Sequence, residues 1–98
     1  MGRIWTHGVW TVKAGREDEF IEAWRAMALG AVEELHPQEE PYLMRDRQQP
    51  NVFRSFGYWD DPAEVERFRA FIQPHLERIR AMTDDLEVFA LDDVPLHG

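Results

Sequence analysis

The stretch SFGYWDDPAEVERFRAF, residues 55–71, joins the end of a strand to the start of a helix. Its first part alternates aromatic and small residues up to Trp59, a pattern typical of a strand. Asp61 then fits a helix N-cap, with Pro62 at the first helical position and Glu64 at the capping-box position. The stretch therefore predicts a sharp strand-to-helix junction. It also raises the question whether the aromatic residues there form core or line a pocket for an aromatic ligand.

The segments on either side of this junction supply the other elements. Strands are predicted at four places rich in β-branched and aromatic residues: 3–12, 41–47, 52–59 and 86–91. Apolar residues at steps of three and four predict one helix from Arg16 to about His36 and a second from Pro62. Pro74 falls inside the second helix and is expected to kink or break it near Ile72–Gln73.

The predicted order is strand, helix, strand, strand, helix, strand. This order is that of a ferredoxin-like α+β fold, βαββαβ, with a four-stranded antiparallel sheet and both helices on one face. At 98 residues the chain is expected to form one domain, residues 1–98.

The predicted strands are apolar on both faces, which is unusual for a sheet that helices cover on one side only. In the first strand Trp10 and Val12 lie on one face, and Trp5 and Val9 lie on the other. The third and fourth strands show the same two-sided pattern. Because two helices cover only one face, we expect a second copy of the sheet to cover the other through a two-fold interface. A different protein on that face is the alternative.

Composition excludes several classes of partner and chemistry. The formal net charge of −8, with no basic stripe, disfavours nucleic-acid binding. The chain has no cysteine, which excludes disulfides, thiolate nucleophiles and iron–sulfur ligation. No apolar run has the length of a membrane span, and no signal-peptide stretch opens the chain. The sequence therefore predicts a cytoplasmic protein with no membrane partner.

Few patterns of catalytic or metal-binding residues occur. Glu33 and His36 form one Glu-x-x-His step, but a di-iron site needs two such pairs and two further glutamates. The chain has no HExxH motif, no G-x-S-x-G elbow and no phosphate-binding or dinucleotide loop. Ser55, the only serine, is interpreted as a poor nucleophile because it lies in the middle of a strand. We expect no metal ion, no hydrolytic apparatus and no phosphoryl transfer.

The aromatic residues are the remaining pointer to a ligand. A space between sheet and helices that contains many rings can form an apolar pocket for a flat molecule. Trp24, Trp59 and Phe71 are predicted as its walls, with core packing as the alternative for each. Arg54 and Tyr58 are predicted as polar contacts.

His75 is the histidine predicted to face this ligand. It follows Pro74, where freed backbone groups often border a cavity, and histidine is the side chain best suited to accept a proton near neutral pH. An exposed position on the polar side of the helix is the alternative. His7 is assigned to the dimer face, and His36 and His97 are interpreted as solvated.

Three segments together resemble a known family: VWTVKAGREDEFIEAWR (9–25), NVFRSFGYWDDPAEVERFRA (51–70) and QPHLERI (73–79). They are similar to the strand-to-helix opening, the tryptophan before an acidic helix start and the Pro-His step of the antibiotic biosynthesis monooxygenase (ABM) domain proteins, in the dimeric α+β barrel superfamily. The resemblance implies a homodimer whose two sheets face each other. It also implies a monooxygenase that oxidises polycyclic phenols with dioxygen and uses no metal or flavin cofactor.

The resemblance also bears on individual residues. The haem-degrading branch is described with an Asn, a Trp and a His where this chain has Gly8, Ala70 and Arg80, so haem degradation is not expected. Phenol-oxidising members are described with an Asn, Trp, Tyr and Arg around the ligand. Trp59 falls near a matching place, and Arg54 and Tyr58 stand as substitutes.

With His75 as the proton acceptor, His75→Ala is predicted to abolish turnover and leave the dimer intact. A dimer of this fold that binds a hydrophobic ligand without transforming it, as a binding or stress-related protein, is the first alternative. A purely structural dimer whose aromatic residues are all core is the second.

Overall fold

The computed structural model describes residues 3–97, and their elements follow the predicted order. The elements are β1 (Ile4–Val12), α1 (Glu17–Leu35), β2 (Tyr42–Arg45), β3 (Val52–Trp59), α2 (Pro62–Arg80) and β4 (Thr83–Asp92). The strands form one antiparallel sheet in the order β2-β3-β1-β4, which confirms the ferredoxin-like α+β prediction. Within the described range, neither helix is apolar enough over its length to cross a membrane.

The junction between β3 and α2 is fixed by side-chain caps. The Asp61 carboxylate accepts a hydrogen bond from the Glu64 backbone N–H at 3.0 Å, and Pro62 occupies the first turn. The Glu64 carboxylate accepts from the Asp60 N–H at 2.8 Å, one residue earlier than a capping box requires. These bonds set the direction in which the chain leaves Trp59.

Two strand boundaries differ from the prediction by more than one residue. β2 ends at Arg45 because the Asp46 carboxylate accepts from the N–H groups of Gln48 and Gln49, at 2.8 and 2.9 Å, and turns the chain. β4 begins at Thr83, three residues before the predicted start at 86, because Thr83 pairs with the last residue of β1. Both differences arise from pairing and turn contacts that composition alone does not reveal.

Helix α2 runs without interruption through Pro74. The expected break near Ile72–Gln73 is therefore wrong. A proline removes one N–H donor from the helix. The turn that follows is anchored by Leu76 and Ile79, which are 6% and 1% exposed against the core. Burial of these two side chains offsets the lost hydrogen bond.

The helix-facing side of the sheet carries the core. Phe20 of α1 packs between Trp10 and Phe53, with ring centroids 5.5 and 4.9 Å away. Trp59 packs on Phe68 of α2 at 4.7 Å. Alternation along the strands places Trp10, Phe53 and Trp59 on this one face, so both helices cover the same side.

The opposite side, here called the open face, is also aromatic. Trp5 stacks on Tyr58 at 4.2 Å, and His7 stacks on Phe56 at 4.5 Å. Phe89 of β4 adjoins His7 at 5.7 Å and remains 40% exposed. These aromatic side chains confirm the prediction that both faces of the sheet are apolar. No element of residues 3–97 packs over the open face.

Candidate functional site

A cavity of about 60 Å³ lies between the sheet and the two helices. Its floor comes from the middle of β1 and β3, one end comes from β4, and its lining is almost wholly apolar. The helices contribute six side chains: Trp24, Met27 and Ala28 from α1, and Phe68, Ile72 and Leu76 from α2. Such a lining suits an aromatic or aliphatic molecule.

Two hydroxyl groups on the floor are held by tryptophans. The Trp10 indole N–H donates to Ser55 Oγ at 2.8 Å, from β1 to β3. The Trp59 indole N–H donates to Thr6 Oγ1 at 3.0 Å, from β3 to β1. A hydroxyl has one donor and two acceptor sites, so each retains its own proton to donate. Because Ser55 and Thr6 line the cavity, these protons are available to an oxygen atom of a bound molecule.

Two glycines make these pairs possible. A Cβ on Gly8 would lie 2.8 Å from both Ser55 Oγ and Trp10 Nε1. A Cβ on Gly57 would lie 2.7 Å from Thr6 Oγ1 and 2.8 Å from the Trp59 Nε1. Each indole therefore occupies the space that a side chain two residues earlier on its own strand would fill, and the hydroxyl that it reaches lies on the neighbouring strand. The two Trp–Gly–hydroxyl groups are thus built by close approach across β1 and β3.

Of the three residues predicted as pocket walls, the structure places one in the cavity lining, one next to the floor and one outside the lining. Trp24 lines the cavity and is 6% exposed. Trp59 is 2% exposed and reaches the floor through its bond to Thr6. Phe71 lies outside the lining. Its ring packs against α1, so closely that a Cβ added to Gly30 would lie 3.1 Å from it.

The predicted polar contacts lie elsewhere. His75 stacks on Phe71 at 5.5 Å and is not among the residues that line the cavity. Arg54 is exposed on the open face, and Tyr58 lies there between Trp5 and the Arg3 guanidinium, 4.8 Å from its ring centroid. The sheet therefore separates Arg54 and Tyr58 from the cavity.

The structure adds Ser55 and Thr6 to the candidate site. The sequence offered one signal for them. Ser55 and Trp59 share a strand face because they are four residues apart, and a serine among aromatic residues can serve as a donor without being a nucleophile. Among residues 3–97, no group of three or more histidine, aspartate or glutamate side chains is placed to hold a metal ion.

His7 carries a buried ring nitrogen. Its Nε2 has no hydrogen-bond partner among residues 3–97, and its ring is stacked on Phe56 in the open face. Burial lowers the pKa of His7 below its ordinary value, and the nearby charge of Arg54 lowers it further. Folding therefore favours the neutral imidazole.

This neutral histidine predicts a loss of stability in mild acid. The unfolded chain binds a proton near the ordinary pKa of about 6.5, and the folded chain binds it at lower pH. The contribution is present above about pH 6.5 and is lost as the pH falls from there through the folded pKa. We expect the Tm, followed by circular dichroism from pH 8 to 5, to fall less in His7→Phe than in the wild type. His97→Gln, in the exposed tail, is the control, and parallel curves for His7→Phe and wild type would contradict the prediction.

The sequence and the fold identify the family. Residues 4–81 match the family model described as antibiotic biosynthesis monooxygenase, ABM. Because this match spans most of the chain, the protein belongs to the ABM family. A search of curated protein sequences finds no match.

Solved structures share the fold. SnoaB, a cofactor-independent oxygenase from Streptomyces nogalater whose structure was solved as a mutant, superposes with a TM-score of 0.82 at 20% identity, with 100% of each chain covered. Protein SO0527 from Shewanella oneidensis gives 0.83 at 16% identity, covering 94% of this chain and 91% of its own. PA3566 from Pseudomonas aeruginosa gives 0.78 at 17% identity, covering 97% of each chain. At these identities the structures show the fold alone.

Proposed function

We propose that the protein is a cofactor-independent monooxygenase that acts on an aromatic or polycyclic phenolic small molecule in the cavity between sheet and helices. The observation that carries the proposal is an apolar cavity whose floor presents two hydroxyl donors, Ser55 and Thr6, each oriented by an indole N–H. Membership of the ABM family and the likeness to SnoaB, a cofactor-independent oxygenase, support it.

The proposed reaction needs no outside reductant. A phenolic substrate with an activated CH₂ group loses a proton, and the resulting anion supplies electrons to dioxygen. A C–O bond forms, the O–O bond breaks, and the CH₂ group becomes a carbonyl while the second oxygen atom leaves as water. The two hydroxyl donors stabilise negative charge that develops on oxygen, and the apolar walls exclude water from the reactive species.

The proposal assigns roles to individual residues by their position relative to the cavity. Trp24 contacts the substrate as a wall, and Trp59 acts through Thr6. It stays a prediction that Phe71, Arg54 and Tyr58 contact the ligand directly. It also stays a prediction that His75 accepts a proton. For His75, turnover lost in His75→Ala with the dimer intact would support the role, and unchanged turnover would remove it.

The proposed assembly is a homodimer through the open face. On the open face, His7 lies between the apolar rings of Phe56 and Phe89 on the two neighbouring strands. Leu91, which pairs with Trp5, is 43% exposed. A second copy brings an identical aromatic surface to this face, as a two-fold interface requires. The cavity lies on the other side of the sheet and stays available in such a dimer.

Oxygen uptake tests the proposed function. The purified protein, with no cofactor added, is tested against anthrone-like and dihydroxynaphthalene compounds in an oxygen electrode. We expect one molecule of oxygen consumed for each molecule of product. Ala28→Phe, which fills the cavity, should lose this uptake, whereas Ala63→Phe on the exposed start of α2 should retain it. No uptake across the panel would contradict the proposal.

One observation favours a second candidate, a binding protein that does not transform its ligand. Apart from His7, whose ring turns to the open face, no described residue of the lining carries an ionisable side chain that could serve as a base. A binding protein would take up a fluorescent aromatic ligand and leave its spectrum constant over time. A monooxygenase would change that spectrum at the rate of oxygen uptake.

A further inference from the structure

The cavity is too small for the proposed substrate in its present shape. Its volume is about 60 Å³. A cavity of about 150 Å³ holds benzene, and pockets for larger ligands span about 300–1,000 Å³. A molecule with two or three fused rings therefore enters only if a side chain of the lining moves and connects the cavity with additional space.

That additional space lies directly beside the cavity. A cleft of about 340 Å³, open to solvent, separates α1 from the edge strand β2. Ile21, Leu43 and Phe53 form its apolar floor. The side chains of Leu43 and Phe53 lie on the helix side of the sheet, so a copy docked on the open face leaves the cleft free.

Of the residues that the structure describes, Trp24 alone lines both spaces. Trp24 therefore borders both the inner cavity and the outer cleft, and it is 6% exposed. A rotation of this single side chain would join the two volumes. Tryptophan has a large side chain, and the cavity's other tryptophan, Trp10, does not border the cleft, so movement of Trp24 opens the most space between the two volumes.

Two arginines border the cleft. Arg25 and Arg45 both line it, and neither takes part in an ion pair with another residue between 3 and 97. Arg45 Nε donates to the Pro50 carbonyl at 2.7 Å, which holds its guanidinium 4.8 Å from the Phe53 ring centroid. In a chain of net charge −8, two unpaired guanidinium groups beside an aromatic floor form a local site for an aromatic anion.

We propose that this cleft is the substrate entrance, that Trp24 is the gate to the cavity, and that Arg25 and Arg45 select aromatic substrates with a negative charge. The proposal rests on the proposed function and adds the substrate class, a phenolate or an aromatic carboxylate. The charged group stays with the arginines at the entrance until the apolar rings pass Trp24. The arginines therefore raise the rate of entry for anions and leave neutral aromatic molecules unaffected.

The absence of cysteine in this chain permits a direct test without turnover. Ala28→Cys places a single thiol in the cavity wall. Its modification is timed with two aromatic disulfides, the anionic 5,5′-dithiobis(2-nitrobenzoate) and the neutral 4,4′-dithiodipyridine. In each reaction the cysteine thiolate attacks the disulfide and forms a mixed disulfide. The sulfur product that leaves, 2-nitro-5-thiobenzoate or, after it takes up a proton, 4-thiopyridone, is followed by its absorbance. The ratio of the two rates cancels changes in the pKa of the thiol.

The ratio of anionic to neutral rates should fall about tenfold at low ionic strength when Arg25→Gln and Arg45→Gln are added, and less in high salt. Arg67→Gln, an exposed arginine of α2 outside the cleft, should leave it unchanged. Trp24→Phe should raise both rates. An unchanged ratio in the double variant, or an equal fall in Arg67→Gln, would overturn the selection of anions, and unchanged rates in Trp24→Phe would overturn the gate.

These outcomes are independent of oxygen uptake. Charge-dependent entry without uptake would refute the monooxygenase and retain the entrance. Uptake with a modification rate insensitive to both arginines would retain the monooxygenase and refute the entrance.

Discussion

Phe89→Asp should convert the proposed dimer into monomers. Phe89 lies in the central row of the open face, beside His7 at 5.7 Å, and is 40% exposed in the single chain. A carboxylate at this position would lose its hydration when a second copy covered the face, beside the apolar ring of Phe56 and the neutral ring of His7. We expect the dimer dissociation constant to rise about a hundredfold or more, which corresponds to about 3 kcal/mol.

Sedimentation velocity at micromolar concentration measures this change. Leu29→Asp is the matched control, because Leu29 is an exposed apolar residue of α1, 63% exposed, and the substitution adds the same charge away from the open face. The control should remain a dimer. A dimeric Phe89→Asp protein, or a monomeric Leu29→Asp protein, would place the interface elsewhere. Circular dichroism establishes that both variants fold, which is expected because neither side chain belongs to the core.

The fold could be predicted because its signals are local. Alternation gives the strands, steps of three and four give the helices, and Asp61 with Pro62 fixes the junction after Trp59. Pro74 shows where a local rule fails. The break that it predicted is wrong, because the helix continues through the proline into a turn whose Leu76 is buried in the core.

The site could be predicted only in part, because alternation does not say which face of a strand meets the helices. It does say that Arg54 and Tyr58 share one face and that Ser55 and Trp59 share the other. When both faces are apolar, hydrophobicity cannot choose between them. The structure turns Ser55 toward the helices and Arg54 and Tyr58 away from them, so the pocket has hydroxyl groups where the sequence suggested a guanidinium and a phenol.

Ser55→Ala should lower kcat about a hundredfold with little change in KM. Removal of one preorganised donor to a developing oxyanion costs about 10²–10³ in kcat. In the proposed site Ser55 Oγ acts as such a donor, because Trp10 Nε1–H at 2.8 Å occupies one of its acceptor sites and leaves the hydroxyl proton for a second partner. The shape of the cavity changes by one oxygen atom, so the binding of the apolar rings is largely retained. Oxygen-uptake kinetics of the two proteins with the same substrate measure the effect.

Two further variants separate catalysis from stability. Ser55→Ala also leaves the Trp10 N–H without its acceptor, which costs about 1–3 kcal/mol of folding free energy and appears as a lower Tm. Thr83→Val removes a hydroxyl that donates to the Arg80 carbonyl outside the cavity, and it should leave kcat unchanged. Ser55→Thr restores the hydroxyl and should recover most of the lost kcat, although its methyl group crowds the floor. If kcat instead falls in proportion to Tm across these variants, whether or not the hydroxyl is present, Ser55 has only a structural role in the floor. Thr6 would then be the donor that stabilises the oxyanion.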